Sequence, residues 1–117
     1  MKTIDIIVPV YNEENTLDLI TNKINDTDYC GLEKHIIFVD DCSTDKSREI
    51  LANYKDCTVL YHDKNQGKGA AIAAGLKSST ADIVVIQDAD LEYNPEDYQK
   101  LLPLLLAGKR RLYMVPG

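Results

Sequence analysis

The sequence predicts an α/β fold, an open and mostly parallel sheet with helices on both faces. Three observations predict it. Four short stretches rich in Val and Ile are apolar almost without interruption, as in strands covered on both sides. Helical patterns fill the intervals between them, and alternation at this spacing implies right-handed crossovers. Each apolar stretch also runs into a polar cluster. In such sheets ligands bind beyond the carboxyl ends of the strands, so the four clusters should share one binding edge.

The strands are expected at Ile4 to Val10, His35 to Asp40, Thr58 to Tyr61 and Asp82 to Gln87. Asn12 can cap a first helix whose inner face carries Leu17, Ile20 and Ile24, spaced at three and four residues. Ser43 or Thr44 can cap a second, with Ile50, Leu51 and Tyr54 facing inward. A third, from about Gly69 to Ser78, is rich in alanine and so can lie close to the sheet. The fourth opens on Asn94-Pro95-Glu96-Asp97, a cap, a proline at the first helical position and two acids in the first turn. Pro103 should kink or break it, and Gly108 is a plausible stop.

The chain has 117 residues, 44% hydrophobic and 27% charged, enough for one domain with a genuine core. A formal net charge of −6 argues against nucleic acid or anionic lipid as the main partner. No apolar run approaches the roughly 18 residues of a membrane span, and Asp5 sits where a signal peptide would be apolar. The expected location is therefore cytoplasmic. Cys30, Cys42 and Cys57 are odd in number and far apart, which supports neither a disulfide framework nor a zinc site.

The polar cluster after the fourth strand carries the sharpest chemistry. In Gln87-Asp88-Ala89-Asp90-Leu91-Glu92, residues two apart on an extended segment point the same way. Converging carboxylates without a basic partner repel, and a divalent cation relieves this. Oxygen ligands favour Mg2+ or Mn2+, shared with substrate phosphates. Alone, an Asp-x-Asp pair is more often a solvated turn. In the third cluster Gly67 and Gly69 flank Lys68 just before a helix, an arrangement that lets backbone, lysine and helix N-terminus approach a phosphate. The spacing is not that of the P-loop or the dinucleotide fingerprint. Asp40 and Asp41 end the second strand. Asp41 is favoured to accept hydrogen bonds from a nucleoside, and alternation leaves Asp40 close behind. Pro9 and Tyr11 can wall a base, while Glu13 and Glu14 also suit a helix start. Together the clusters describe a nucleoside diphosphate with its metal.

Val8-Pro9-Val10-Tyr11-Asn12-Glu13-Glu14, Val39-Asp40-Asp41-Cys42-Ser43-Thr44-Asp45, Asn65-Gln66-Gly67-Lys68-Gly69-Ala70-Ala71 and Gln87 to Glu92 resemble family 2 glycosyltransferases of GT-A fold. The stretch Asp88 to Tyr98 is most like the polyprenyl-phosphate branch, which includes dolichyl-phosphate mannose synthases. The resemblance implies a Rossmann-like nucleotide-binding half. It gives Asp88 and Asp90 the metal and the catalytic role, with Glu92 as a further ligand. Pro9, Tyr11, Glu13, Asp40, Asp41, Lys68, Asp88 and Ala89 would then hold a UDP- or GDP-sugar. It further implies sugar transfer, usually with inversion, to a lipid phosphate that is already anionic near neutral pH.

Rival classes fit less well. A receiver domain or an Asp-x-Asp phosphohydrolase would place its acids after the first strand, and that position holds Tyr11-Asn12. A nucleotidyltransferase would place its Gly-rich loop there. The serious alternative is a nucleotide-sugar-binding domain without catalysis.

The resemblance covers about residues 3 to 109, so the sequence divides into a nucleotide-sugar-binding half-domain at 1–109 and an atypical end at 110–117. Family members usually continue there into a strand resembling Asp-Val-Val-Tyr-Gly-Ser-Arg, and a neighbouring reading frame could restore it. The expectation is a truncated or frameshifted product that keeps weak nucleotide binding and loses transfer. Leu104, Leu105 and Leu106 in succession offer apolar surface for self-association.

Overall fold

A computed structural model describes residues 3–87 and 111–115. The fourth-strand acids Asp88, Asp90 and Glu92, with Ala89, lie outside the described residues. So do the helix expected from Asn94, Pro103, the three leucines and Gly108.

Five strands form one sheet: β1 (Thr3–Val10), β2 (Glu33–Asp40), β3 (Thr58–Tyr61), β4 (Ile83–Gln87) and β5 (Arg111–Val115). Their order is β3-β2-β1-β4-β5, and every pairing is parallel. The expected parallel α/β sheet is thus observed. Its fifth strand falls in the segment that the sequence sets apart after residue 109. Leu112-Tyr113-Met114-Val115 is a plain apolar β pattern, and it pairs with Val84 to Gln87 on β4.

The strand interiors alternate cleanly between two cores. Ile4, Ile6, Val8 and Val10 of β1, Ile36 and Phe38 of β2 and Val85 of β4 pack beneath Leu17, Ile20 and Ile24 of α1 (Leu17–Asp26) and Leu51 of α2 (Ser47–Ala52). Ile50 and Tyr54 join them at the margin, so the inner faces expected of both helices are correct. On the other face Ile7, Ile37, Val39, Val84 and Ile86 meet Ala71, Ile72 and Leu76 of α3 (Lys68–Ser78). Gly75 allows that helix to sit close, because a Cβ there would lie 2.7 Å from Ile7 Cγ2.

The chain steps from β1 outward to β3, then returns past β1 to place β4 and β5 on its other side. A right-handed crossover lays its helix on one face when moving outward and on the opposite face when moving back. That is why α1 and α2 share a face and α3 does not. The direction reverses between β1 and β4, and the crevice at such a switch point is where doubly wound sheets bind ligands. Val10, Asp40 and Tyr61 end their strands in register at this edge.

Candidate functional site

Three loops meet at the carboxyl edge, and their own hydrogen bonds hold them together. The first departs from the sequence expectation. Asn12 does not cap α1, which begins at Leu17 with Thr16 at its N-cap. Its backbone is left-handed, with φ 52°. Its Oδ1 instead accepts the Thr44 and Asp45 amide N–H groups at 2.8 and 3.3 Å. In return the Asn12 and Glu13 amides donate to Ser43 Oγ and Ser47 Oγ, both at 2.9 Å. The Glu13 carboxylate accepts the Thr16 hydroxyl at 2.7 Å, which closes the turn into α1.

The second loop also starts its helix late. Neither Ser43 nor Thr44 caps α2, whose N-cap is Lys46. Asp45 fills the local role: its Oδ1 accepts Ser47 N–H at 2.8 Å and its Oδ2 accepts Glu14 N–H at 3.1 Å. Burial pushes the Asp45 pKa up, but hydrogen bonds from the Ser47 side chain and from the Ser47, Glu14 and Asp45 backbone more than reverse this. The carboxyl ends below its usual value.

The two acids at the end of β2 have separate duties. Asp40 is completely buried. Its Oδ2 accepts Arg48 Nε at 2.6 Å and Ser43 N–H at 3.2 Å. Its Oδ1 is buried without a hydrogen-bond partner among the described residues. Arg48 also donates from Nη2 to the His62 carbonyl oxygen at 2.5 Å and lies 5.3 Å from the centre of the Tyr61 ring. The bond to Asp40, ahead of the opposing effect of burial, raises the Arg48 pKa above its usual value. Asp41, 3% exposed, reaches the third loop. Its Oδ1 accepts Gln66 N–H at 2.8 Å and faces His62 Nδ1 at 2.9 Å, and its Oδ2 accepts Gly67 N–H at 2.8 Å.

Gly67 has φ 95° and is the N-cap of α3, which carries no side-chain cap. The helix N-terminus and the half-buried Lys68 therefore stand at the same edge as Asp41. Pro9 is buried within β1, and Tyr11 just after it is 47% exposed. Pro9, Tyr11, Glu13, Asp40, Asp41 and Lys68 are thus gathered on one edge. Asp88 follows Gln87 in sequence, and Gln87 ends β4 beside the switch point. Sequence reasoning missed Arg48 and His62. The available signal was two adjacent acids ending a strand, one of which must find a cation when buried.

The class that fold and edge define is a doubly wound, all-parallel α/β domain with its polar loops at the switch point. The chain belongs to glycosyl transferase family 2, whose sequence model matches residues 5–115. It is 33% identical over 114 residues to an undecaprenyl-phosphate 4-deoxy-4-formamido-L-arabinose transferase of Pectobacterium carotovorum, covering 92% of this chain and 35% of that protein. It is 33% identical over 109 residues to a dolichol-phosphate mannosyltransferase of Pyrococcus furiosus, covering 90% and 30%. Among solved structures, S. aureus TarS 1-349 in complex with UDP-GlcNAc matches at TM-score 0.68 and 28% identity, over 92% of this chain and 32% of that one. The mannosyltransferase PcManGT from Pyrobaculum calidifontis, in complex with GDP-Man and Mn2+, matches at TM-score 0.65 and 29% identity, over 89% and 32%. The chain spans about a third of the length of the curated relatives it matches. Among the described residues no helix is long and apolar enough to cross a membrane.

Proposed function

We propose that this chain forms the donor-binding half of a sugar transferase that takes a UDP- or GDP-sugar and delivers the sugar to a polyprenyl phosphate on the cytoplasmic side of a membrane. One observation carries the reading: the ends of β1, β2 and β3 and the start of α3 share the carboxyl edge that runs to the switch point, and β4 on its other side is followed in sequence by Asp88-Ala89-Asp90. Pro9 and Tyr11 flank the base, and Glu13 borders the same pocket. Asp41 has taken three hydrogen bonds of the roughly four a carboxylate can accept, which leaves one place for a nucleoside N–H or O–H. Asp40 stands behind it. Lys68 and the amino end of α3 receive the phosphates.

The described residues contain no group of three His, Cys, Asp or Glu able to hold a metal ion. A divalent cation would therefore be held by Asp88 and Asp90 with Glu92, an all-oxygen set that suits Mg2+ or Mn2+. When bound, such an ion offsets the negative charge that builds on the departing diphosphate. Ala89, between the two acids in sequence, is assigned to the donor with them. Attack by the acceptor phosphate oxygen on the anomeric carbon breaks the bond to the nucleoside diphosphate and inverts that carbon.

The second reading is a nucleotide-sugar-binding domain without catalysis. Calorimetric titration with UDP and GDP, with and without Mn2+, tests the first reading. Metal-dependent binding is expected, and no binding by a folded chain overturns it. A transfer assay with polyprenyl phosphate then separates the two readings.

A further inference from the structure

We infer that His62 is a positioning residue of the donor site, holding the Asp41 carboxylate so that it can set the entrance to the phosphate cradle. The inference rests on the donor-site reading above. His62 stands one residue past β3, its amide donating to the Asp40 carbonyl oxygen at 2.9 Å. Its side chain is 13% exposed and places Nδ1 2.9 Å from Asp41 Oδ1. An ionised carboxylate only accepts hydrogen bonds, so the proton of this contact lies on Nδ1.

Asp41 spends two more of its accepting places on the chain just before α3. Oδ1 is shared with the Gln66 amide and Oδ2 takes the Gly67 amide, each at 2.8 Å. The two amides hold one carboxylate oxygen each. The third donor, from a ring itself anchored by its backbone to β2, adds a hold on Oδ1 from outside the loop that the carboxylate positions. Gly67 carries φ 95°, and α3 begins at the next residue. A shift of the carboxylate would therefore move Gly67 and, with it, Lys68 and the first turn of the helix. His62 touches no proposed ligand atom; it acts through Asp41.

The test uses two substitutions that differ in where they place a donor. Asn puts its amide nitrogen near the position of His Nδ1, whereas Gln reaches the position of Nε2. In His62→Asn the exchange rates of the Gln66 and Gly67 amide hydrogens should stay close to those of the parent chain. In His62→Gln they should rise about tenfold, as expected for a lost hydrogen bond to a charged group, while amides in β1 and β2 keep their protection. Affinity for UDP or GDP in the presence of Mn2+ should follow the same order, with His62→Gln weakened about tenfold. Equal exchange in the two variants overturns the inference, and so does equal affinity where the parent chain binds nucleotide. If the parent binds neither nucleotide, the donor-site reading falls, and with it the role assigned to His62. The exchange rates then report only whether His62 holds the loop.

Discussion

Asp41 Oδ2 lies 2.8 Å from the amide nitrogen of Gly67, joining the end of β2 to the start of α3 across 26 positions of sequence. The same carboxylate also takes the Gln66 amide and His62 Nδ1. Asp41→Ala removes the acceptor from all three donors. Hydrogen bonds to a charged group contribute about 1.5–3 kcal/mol each, and water can recover part of this at the exposed Gln66. A net loss of about 3 kcal/mol is expected in urea unfolding. Nucleotide affinity should fall at least as far as in His62→Gln.

Arg48 is the only cation that the described structure pairs with buried Asp40. Removing one member of a buried pair leaves an uncompensated charge, at a cost of about 3–5 kcal/mol. Arg48 is itself 39% exposed, so Arg48→Met should fall toward the lower end of that range. Adding Asp40→Asn should recover part of the loss, because the amide carries no charge to strand. Unfolding free energies of the two single variants and the double variant measure the coupling.

Gly75→Ala sets two effects against each other. Alanine gains about 1 kcal/mol over glycine in a helix interior. Its Cβ, however, would lie 2.7 Å from Ile7 Cγ2 and 3.1 Å from Cγ1 and Cδ1. Ile7 is fully buried and branched at Cβ, so Cγ2 cannot swing aside without moving β1. Overpacking of this kind costs about 1–3 kcal/mol, and the clash should prevail by about 1 kcal/mol. Introduced into Ile7→Ala, which removes Cγ2, the same substitution should become neutral or stabilising.

Much of this fold was legible because its strands are covered on both sides. Burial of both faces makes the interiors of β1, β2 and β4 nearly continuous apolar runs, and Leu17, Ile20 and Ile24 mark the inner face of α1 by spacing alone. The helix starts were not legible. Asn12, Ser43 and Thr44 are good capping residues locally, but the three loops meet at one edge, and tertiary contacts claim those side chains. Asn12 spends its oxygen on Thr44 and Asp45, thirty-odd positions away, and α1 waits until Leu17. The gathering of Pro9, Asp40, Asp41 and Lys68 could be read from strand ends. The division of labour between the two acids could not, since it depends on Arg48 and His62 arriving from α2 and β3. The apolar run of β5 is equally plain in the sequence, although it departs from the usual continuation of the family.

Tyr54 should make the fold sensitive to alkali. Burial, packed against Phe38 with ring centres 5.4 Å apart, pushes its phenol up to about 12, and the hydrogen bond to Asp18 adds to this. The folded value lies above the ordinary value of 10.0, so folding favours the protonated phenol. Its contribution is complete below about pH 10 and is lost as the pH rises toward about 12. An ultraviolet titration should show a phenolate forming late that Tyr54→Phe removes. The variant should also lose less stability than the parent over that interval.

Metal-dependent nucleotide binding should hinge on Asp88 and Asp90. The described residues offer no competing cluster of ligands, and Lys68 with the amino end of α3 can attract phosphate without a metal. Binding should therefore have two separable parts. UDP or GDP should bind weakly in a chelator, and Mn2+ should strengthen binding on the order of a hundredfold, the scale of a divalent ion shared between carboxylates and a diphosphate. Asp88→Ala and Asp90→Ala should each abolish the increment and leave the weak binding intact. Lys68→Ala should do the reverse, weakening nucleotide binding even in chelator. Asp82→Asn, an exposed acid just before β4 and so at the opposite edge of the sheet, should change neither part. An increment that survives in both the Asp88 and Asp90 variants would move the metal away from this pair and remove the main support for a donor site at the end of β4.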